Sequence, residues 1–136
     1  MSEPLSLPYR PRDSASTNLS LAPMLPLVLS HTFQVSTLGL LDTGATINVL
    51  PFSIGVQLGL RWDEQTRALQ LGGNLASVEA YGVPVQAQVG DFAPVLLAFG
   101  WAKSDNIPLI LGQVNFFQEF NACFFRSREV FEVRPR

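Results

Sequence analysis

One acidic side chain of this sequence is far from every other charged residue along the chain. Within residues 14–60 the only charged residue is Asp42, which follows the apolar segment Leu38–Leu41 and precedes Thr43-Gly44-Ala45. An ionised carboxylate is costly in so apolar a stretch unless it is hydrogen-bonded or serves a chemical task. Two interpretations stay open at this point: Asp42 caps a turn, as Asp-x-Gly segments commonly do, or its carboxylate carries out acid–base chemistry.

The composition excludes most other kinds of site. The chain of 136 residues has one cysteine, Cys123, and one histidine, His31, too few for an intramolecular disulfide or the usual zinc ligand sets. It has no Walker-type loop and no G-x-G-x-x-G segment, so we expect no cofactor and no metal. Lys and Arg number 9 against 11 Asp and Glu, and the resulting net charge of −2 disfavours nucleic acid as a partner.

The surface and location follow from similar arguments. Charged residues make up 15% of the chain, whereas soluble domains average roughly 25%, so we expect part of the surface to be covered by self-association. The longest apolar run, residues 93–102, is shorter than the ~20 residues that cross a bilayer, and we expect no membrane partner. The sequence shows no signal peptide, and the single cysteine fits a reducing compartment, so a cytoplasmic location is expected.

Short alternating segments dominate the chain from Pro23 onward. Apolar residues alternate with polar ones at period two, which is typical of half-buried strands. The predicted elements are strands over 25–29, 33–35, 83–89, 95–99 and 107–111, short helices over 51–58 and 113–120, and a closing hairpin of 122–125 and 129–133. Phe116, Phe117 and Phe120 are expected in the core. The pattern predicts a mostly β domain of barrel or sandwich type.

The first 22 residues have a different composition. They are rich in Pro and Ser and show no periodicity, which predicts a flexible N-terminal arm or a pro-segment. A strand that docks on a partner subunit is the alternative for this segment. The folded domain is expected over residues 23–136.

The segment around Asp42 resembles a known active-site signature. Residues 40–46, Leu-Leu-Asp-Thr-Gly-Ala-Thr, resemble the apolar-apolar-Asp-Thr-Gly-Ala motif of the retropepsin-like aspartic proteases. Further matches follow in the family's order: a glycine turn at Leu71-Gly72-Gly73 where the family has its flap hairpin, the segment Leu109–Gly112, and a short helix after it. The resemblance covers about residues 23–133. It implies a closed β-barrel or sandwich half-lobe with a flap hairpin and one or two short helices.

Two positions depart from the viral members of that family. They typically carry Arg where this chain has Gln113, and an acidic partner where it has Thr46. In the viral members this Arg and this acidic residue form an ion pair, and both are absent here. We therefore still expect the family's fold, but the contact between two subunits found in the viral members is not implied for this chain.

The resemblance implies an aspartic endopeptidase. Two carboxylates activate one water in this chemistry, and the chain has one Asp-Thr-Gly, so Asp42 of two copies would meet in a homodimer that cleaves a polypeptide substrate. Thr43, Gly44 and Ala45 would support the loop. The residues expected to form the flap and the pocket walls are Leu40, Ile47, Val49, Leu71, Gly72, Gly73, Pro108 and Ile110. Because the walls are apolar, apolar residues are expected at the cleaved bond, although half of these side chains could belong to the core.

Three alternatives remain at the level of sequence. The chain could be a retropepsin-like module that dimerises or binds peptides without proteolysis. It could be an unrelated β-barrel in which Asp42 caps a turn. It could also be a precursor that cleaves its own arm within residues 1–22.

Overall fold

The computed structural model describes residues 3–12 and 20–136. Strands dominate it and helices are short. The strands are β1 (Leu5–Pro8), β2 (Arg10–Pro11), β3 (Leu21–Ala22), β4 (Met24–Ser30), β5 (Gln34–Leu41), β6 (Asn48–Leu50), β7 (Ala68–Gln70), β8 (Glu79–Gln88), β9 (Val95–Ala102), β10 (Ile110–Leu111), β11 (Phe120–Phe125) and β12 (Val130–Pro135). The helices are α1 (Phe52–Gln57) and α2 (Phe116–Glu119), with 3-10 turns at Trp62–Glu64, Gly73–Leu75 and Arg126–Arg128. The mostly β fold predicted from the sequence is confirmed.

Six strands close into a barrel. The order of the large sheet is β4-β5-β10-β6-β9-β8-β7, and β4 also pairs with β8, which closes the ring. The short strand β10 lies between β5, to which it is parallel, and β6, to which it is antiparallel. Closure leaves only β7 outside the ring, and β7 and β8 form a hairpin that extends beyond the barrel.

The alternating pattern produces the core directly. Leu25, Leu27 and Leu29 of β4 point inward, and the alternate residues of β8 do the same at Val83, Val85 and Ala87. These side chains pack with Phe99 and Trp101 of β9 and with Phe116 and Phe120, all of which are buried. Burial of apolar side chains at period two on both sides of the barrel is the main stabilising contribution.

Helix α1 forms where the sequence predicts it. Pro51 stands at its N-cap position and Gly59 follows its C-cap with φ 92°, a left-handed conformation that favours glycine. The Nε1 group of Trp101 donates to the carbonyl oxygen of Phe52 at 3.1 Å, which fixes the helix against the barrel.

Two predicted elements are shorter than expected. The strand predicted over 107–111 is confined to Ile110–Leu111, and Pro108 within that span has no N–H to donate to a ladder. The helix predicted over 113–120 is confined to Phe116–Glu119. Residues 113–114 instead run beside residues 45–48: their N–H groups donate to the carbonyl oxygens of Ala45 and Thr46, and the Val114 carbonyl oxygen accepts the Asn48 N–H rather than a helical one. Tertiary hydrogen bonds have replaced local ones.

The described part of the N-terminal segment is not a free arm. Strand β1 pairs antiparallel with β12, Leu5 opposite Val133 and Leu7 opposite Phe131, and both leucines pack against the core. The prediction of a flexible arm over 1–22 is therefore wrong for β1, and for β2 and β3, which pair with each other. The alternation of Leu5 and Leu7 is too short to stand out among the prolines. Residues 1–2 and 13–19 lie outside the described part of the chain, and removal of a pro-segment stays a prediction.

The two chain ends form a second sheet. Its order is β1-β12-β11, and β11 and β12 are the predicted closing hairpin. Phe131 and Val133 of β12 are fully buried against the barrel. Among the described residues no helix is long and apolar enough to cross a bilayer.

Candidate active site

Asp42 lies at the end of strand β5, where the chain leaves the barrel. Its backbone N–H donates to the carbonyl oxygen of Leu111 at 3.0 Å, so the residue is held by the adjacent strand β10. Its Oδ1 atom accepts the Gly44 N–H at 3.0 Å, and its carbonyl oxygen accepts the Ala45 N–H at 3.1 Å. The carboxylate is half-buried and its loop neighbours Thr43 and Gly44 are exposed. The turn contacts expected of an Asp-x-Gly segment are thus present, and one carboxylate oxygen remains outside them.

The loop of Asp42 faces the hairpin of β7 and β8 across a cleft of about 240 Å³. The cleft is lined from the loop side by Asp42, Gly44, Ala45, Thr46, Ile47, Val49 and Ile110, and from the hairpin side by Leu71, Gly72, Gly73, Asn74 and Leu75. Asp42 is the only ionisable side chain among these residues. The cleft therefore combines one carboxylate with mostly apolar walls.

The structure brings most of the predicted site residues together. Asp42, Gly44, Ala45, Ile47, Val49, Leu71, Gly72, Gly73 and Ile110 all border the cleft. Val49 and Leu71 are also 4% and 2% exposed, so they contribute to the core as much as to the walls. Thr43 lies on the exposed side of the loop.

Two predicted wall residues lie elsewhere in the single chain. Pro108 borders a separate groove together with Arg10 and Leu38. Leu40 is buried in a small cluster with Ala22 and Met24. Leu40 is therefore not among the residues that line the cleft, although it is only two residues from Asp42.

A second cavity, of about 490 Å³, meets the cleft only at Ile47. It lies between the segment Glu64–Arg67 and strands β8 and β9. It is larger than the cleft at Asp42, but it contains none of the Asp-Thr-Gly loop. Its one carboxylate, that of Glu64, is exposed and pairs with Arg61 at 3.2 Å, so the carboxylate of the Asp-Thr-Gly loop lies in the smaller cleft.

Asn48 was missed by the sequence reasoning. It is the one buried polar residue among those described, at 0% exposure. Its Oδ1 atom accepts the Gly112 N–H at 2.8 Å, and its Nδ2 group donates to the carbonyl oxygen of Ala98 at 2.9 Å and to Oδ1 of Asn115 at 3.3 Å. The sequence does contain a signal for this residue: Asn48 is a polar side chain within the apolar segment Ile47–Leu50, six residues after Asp42.

Gly112 allows the two segments of the site to approach closely. A Cβ atom at this position would lie 2.6 Å from the carbonyl oxygen of Ile47 and 2.8 Å from that of Ala45. The backbone of residues 112–114 therefore lies directly against residues 45–48, and the hydrogen bonds of Gln113 and Val114 join them at 2.9 Å each. The loop that carries Asp42 is fixed by this contact.

No group of three or more His, Cys, Asp and Glu side chains in residues 3–12 and 20–136 is arranged to hold a metal ion. Cys123 is exposed on β11, away from the cleft. The chemistry at hand in a single chain is that of the Asp42 carboxylate.

Comparison with known proteins gives matches at the level of structure. One match is EIAV protease complexed with the inhibitor HBY-793, whose sequence is 25% identical to this one. The superposition covers 76% of this chain and 92% of the EIAV protease chain, with a TM-score of 0.57. A retropepsin-like aspartic protease from Rickettsia conorii is 15% identical, covers 96% of this chain and 91% of its own, and has a TM-score of 0.62. The chain has the retropepsin-like fold. The resemblance predicted from the sequence is confirmed.

Comparisons with protein-family models and with curated proteins give no match. In this retropepsin-like chain the Asp-Thr-Gly loop, the segment Leu109–Gly112 and the glycine-containing hairpin surround one cleft, as their order along the sequence implied.

Proposed function

We propose that this chain is an aspartic endopeptidase that works as a homodimer. The observation that carries the proposal is the position of Asp42, which is the single ionisable side chain lining a cleft between the Asp-Thr-Gly loop and a hairpin in a retropepsin-like fold. The likeness to structures of aspartic proteases supports a protease function.

The chemistry requires two carboxylates. One is ionised and takes a proton from water as the water oxygen attacks the peptide carbonyl carbon, while the other is protonated and donates to the carbonyl oxygen. The resulting tetrahedral diol collapses as the C–N bond breaks. The nitrogen receives a proton from the carboxyl group that took one from water, and a diol hydroxyl returns a proton to the other carboxylate, which leaves a carboxylic acid and an amine. Two carboxyl groups that contact the same water share one proton and titrate as a unit.

The second carboxylate comes from a second copy of the chain. The cleft contains only Asp42 as an acid, and the other aspartates of the sequence lack the Thr-Gly that follows it. A two-fold axis beside the exposed Thr43 and Gly44 would bring the two Asp42 side chains around one water. The Thr43 hydroxyl would then bond across the axis, and the half-buried Ala45 would pack behind the loop.

The substrate is an extended polypeptide with apolar residues at the cleaved bond. Ile47 and Ile110 are half-buried and present apolar surface beside Asp42, and Leu71 and Val49 complete the wall. The hairpin residues Gly72 and Gly73 would close over the peptide and bind its main chain as a neighbouring strand does. The carbonyl oxygen of Gly44 accepts no hydrogen bond within the described part of the chain, so it is available to a substrate N–H.

The experiment is cleavage of a mixed peptide library from pH 3 to pH 8, with products identified by mass spectrometry. The wild type should cut next to apolar residues, and Asp42→Asn should lower the rate by roughly 10²–10⁴-fold because it removes the acid–base pair. Asp91→Asn is the matched control, since Asp91 is exposed in the turn after β8 and should be dispensable.

Three outcomes are informative. Cuts by the wild type and Asp91→Asn alone support the proposal. Equal cutting by Asp42→Asn contradicts it. No cutting by a folded wild type at any pH would leave the non-proteolytic peptide-binding module as the function.

A further inference from the structure

Gln113 contacts the loop of Asp42 through both its side chain and its backbone. Its Nε2 group donates to the carbonyl oxygen of Thr43 at 2.8 Å. Its backbone N–H donates to the carbonyl oxygen of Ala45 at 2.9 Å. One residue therefore holds the carbonyl groups on both sides of Gly44.

The position of Gly44 in turn sets the orientation of the carboxylate. The Gly44 N–H donates to Oδ1 of Asp42 at 3.0 Å. Thr43 and Gly44 are both exposed, so packing does not hold them. Among the described residues the Gln113 amide is the only side chain that donates to the backbone of residues 42–46.

We propose that Gln113 is a positioning residue for Asp42, and this inference rests on the proposed function. By bonding to the carbonyl oxygens of Thr43 and Ala45, Gln113 fixes the peptide groups Thr43–Gly44 and Ala45–Thr46. The N–H of the first of these groups, that of Gly44, then orients the Asp42 carboxylate toward the shared water. Gln113 also leaves the Gly44 carbonyl oxygen open to substrate.

The contact differs in kind from the ion pair of viral relatives. The viral members typically place Arg and an acidic residue where this chain has Gln113 and Thr46. Here a neutral amide bonds to a backbone carbonyl instead, so salt does not screen the contact as it screens an exposed ion pair. Gln113 therefore holds the Asp42 loop without placing a charged side chain beside the proposed pair of carboxylates.

Three variants separate this role from others. Gln113→Met keeps the length of the side chain and removes the donor, and Gln113→Arg restores N–H donors that reach the same carbonyl. Gln118→Met is the matched control, because Gln118 is exposed on α2 and its side chain makes no hydrogen bond in the described part of the chain. None of these exposed positions should change the unfolding midpoint appreciably.

We expect Gln113→Met to lower kcat by about threefold to tenfold, the value of one hydrogen bond, with KM changed by less than about twofold. Gln113→Arg should regain most of kcat, and Gln118→Met should match the wild type. Unchanged kcat in Gln113→Met, or an equal loss in Gln113→Arg, would overturn the proposal.

A second measurement does not depend on activity. Amide hydrogen exchange of Gly44 and Ala45, followed by NMR, should become about threefold to tenfold faster in Gln113→Met and stay near the wild-type rate in Gln113→Arg. Unchanged exchange in Gln113→Met overturns the role of Gln113 even if the enzyme is active. Faster exchange in a chain that cleaves nothing leaves that role standing and removes the proposed function.

Discussion

Substitution of Gly112 by Ala should destabilise the chain by about 3 kcal/mol. The added Cβ would lie 2.6 Å from the Ile47 carbonyl oxygen and 2.8 Å from that of Ala45, whereas ordinary contact begins at 3.4 Å. Both neighbours are backbone atoms, which cannot move as a flexible side chain can. The two segments must therefore separate by more than half an ångström.

That separation weakens the hydrogen bonds between the segments. The Gly112 N–H bonds to Asn48 at 2.8 Å, and the N–H groups of Gln113 and Val114 bond to residues 45 and 46 at 2.9 Å. Overpacking costs about 1–3 kcal/mol, and each weakened hydrogen bond adds up to about 1 kcal/mol. A loss of about 3 kcal/mol leaves the chain folded, since domains typically have about 5–15 kcal/mol of stability.

The assay is urea unfolding at a fixed protein concentration, because dimerisation would make the midpoint depend on concentration. Gly72→Ala is the control: a Cβ at Gly72 meets no atom within 4 Å, and its φ of −90° suits alanine. The control should change the free energy of unfolding by less than about 0.5 kcal/mol. If Gly112→Ala costs no more than Gly72→Ala, the close approach of the two segments is not as described.

Two further predictions follow from the site. Asn48→Leu should lower the free energy of unfolding by about 1–3 kcal/mol, because it leaves the buried Gly112 N–H without an acceptor; an unchanged urea midpoint would contradict this. Specific activity of the wild type should fall on dilution below the dimer dissociation constant, and activity that is independent of concentration in a chain that sediments as a monomer would contradict the shared site.

Local pattern was sufficient for several features of this protein. The period-two alternation of Leu25–Leu29 and Val83–Val89 predicted strands β4 and β8, because a half-buried strand needs an apolar side chain at every second position. The Pro51 and Gly59 pair predicted α1 for similarly local reasons. Short motifs also single out the Asp42 loop and the glycine turn, and these two segments border one cleft.

Features that depend on distant partners were not found. The sequence predicts a flexible arm at Leu5 and Leu7, because a strand of four residues can be recognised only from its pairing with β12. It predicts a helix at Gln113 and Val114, because nothing local reveals that the carbonyl groups of Ala45 and Thr46 accept their N–H groups. Pro108 was placed in the cleft from order along the chain, which does not determine the direction in which a side chain points.

The sequence alone determined the mostly β class and the Asp-Thr-Gly motif at Asp42, because side-chain periodicity and a short motif are properties of the chain itself. Only the tertiary structure decided that β1 completes the terminal sheet, that Asn48 bonds to Gly112 and Gln113 to the Asp42 loop, and that Gly72 and Gly73 face this loop across a cleft. The hydrogen bond between Asn48 and Gly112 joins residues 64 positions apart, that between Gln113 and Thr43 joins residues 70 apart, and the pairing of Leu5 with Val133 joins residues 128 apart. Their free energy is gained only after the barrel closes, so no local segment encodes them by itself.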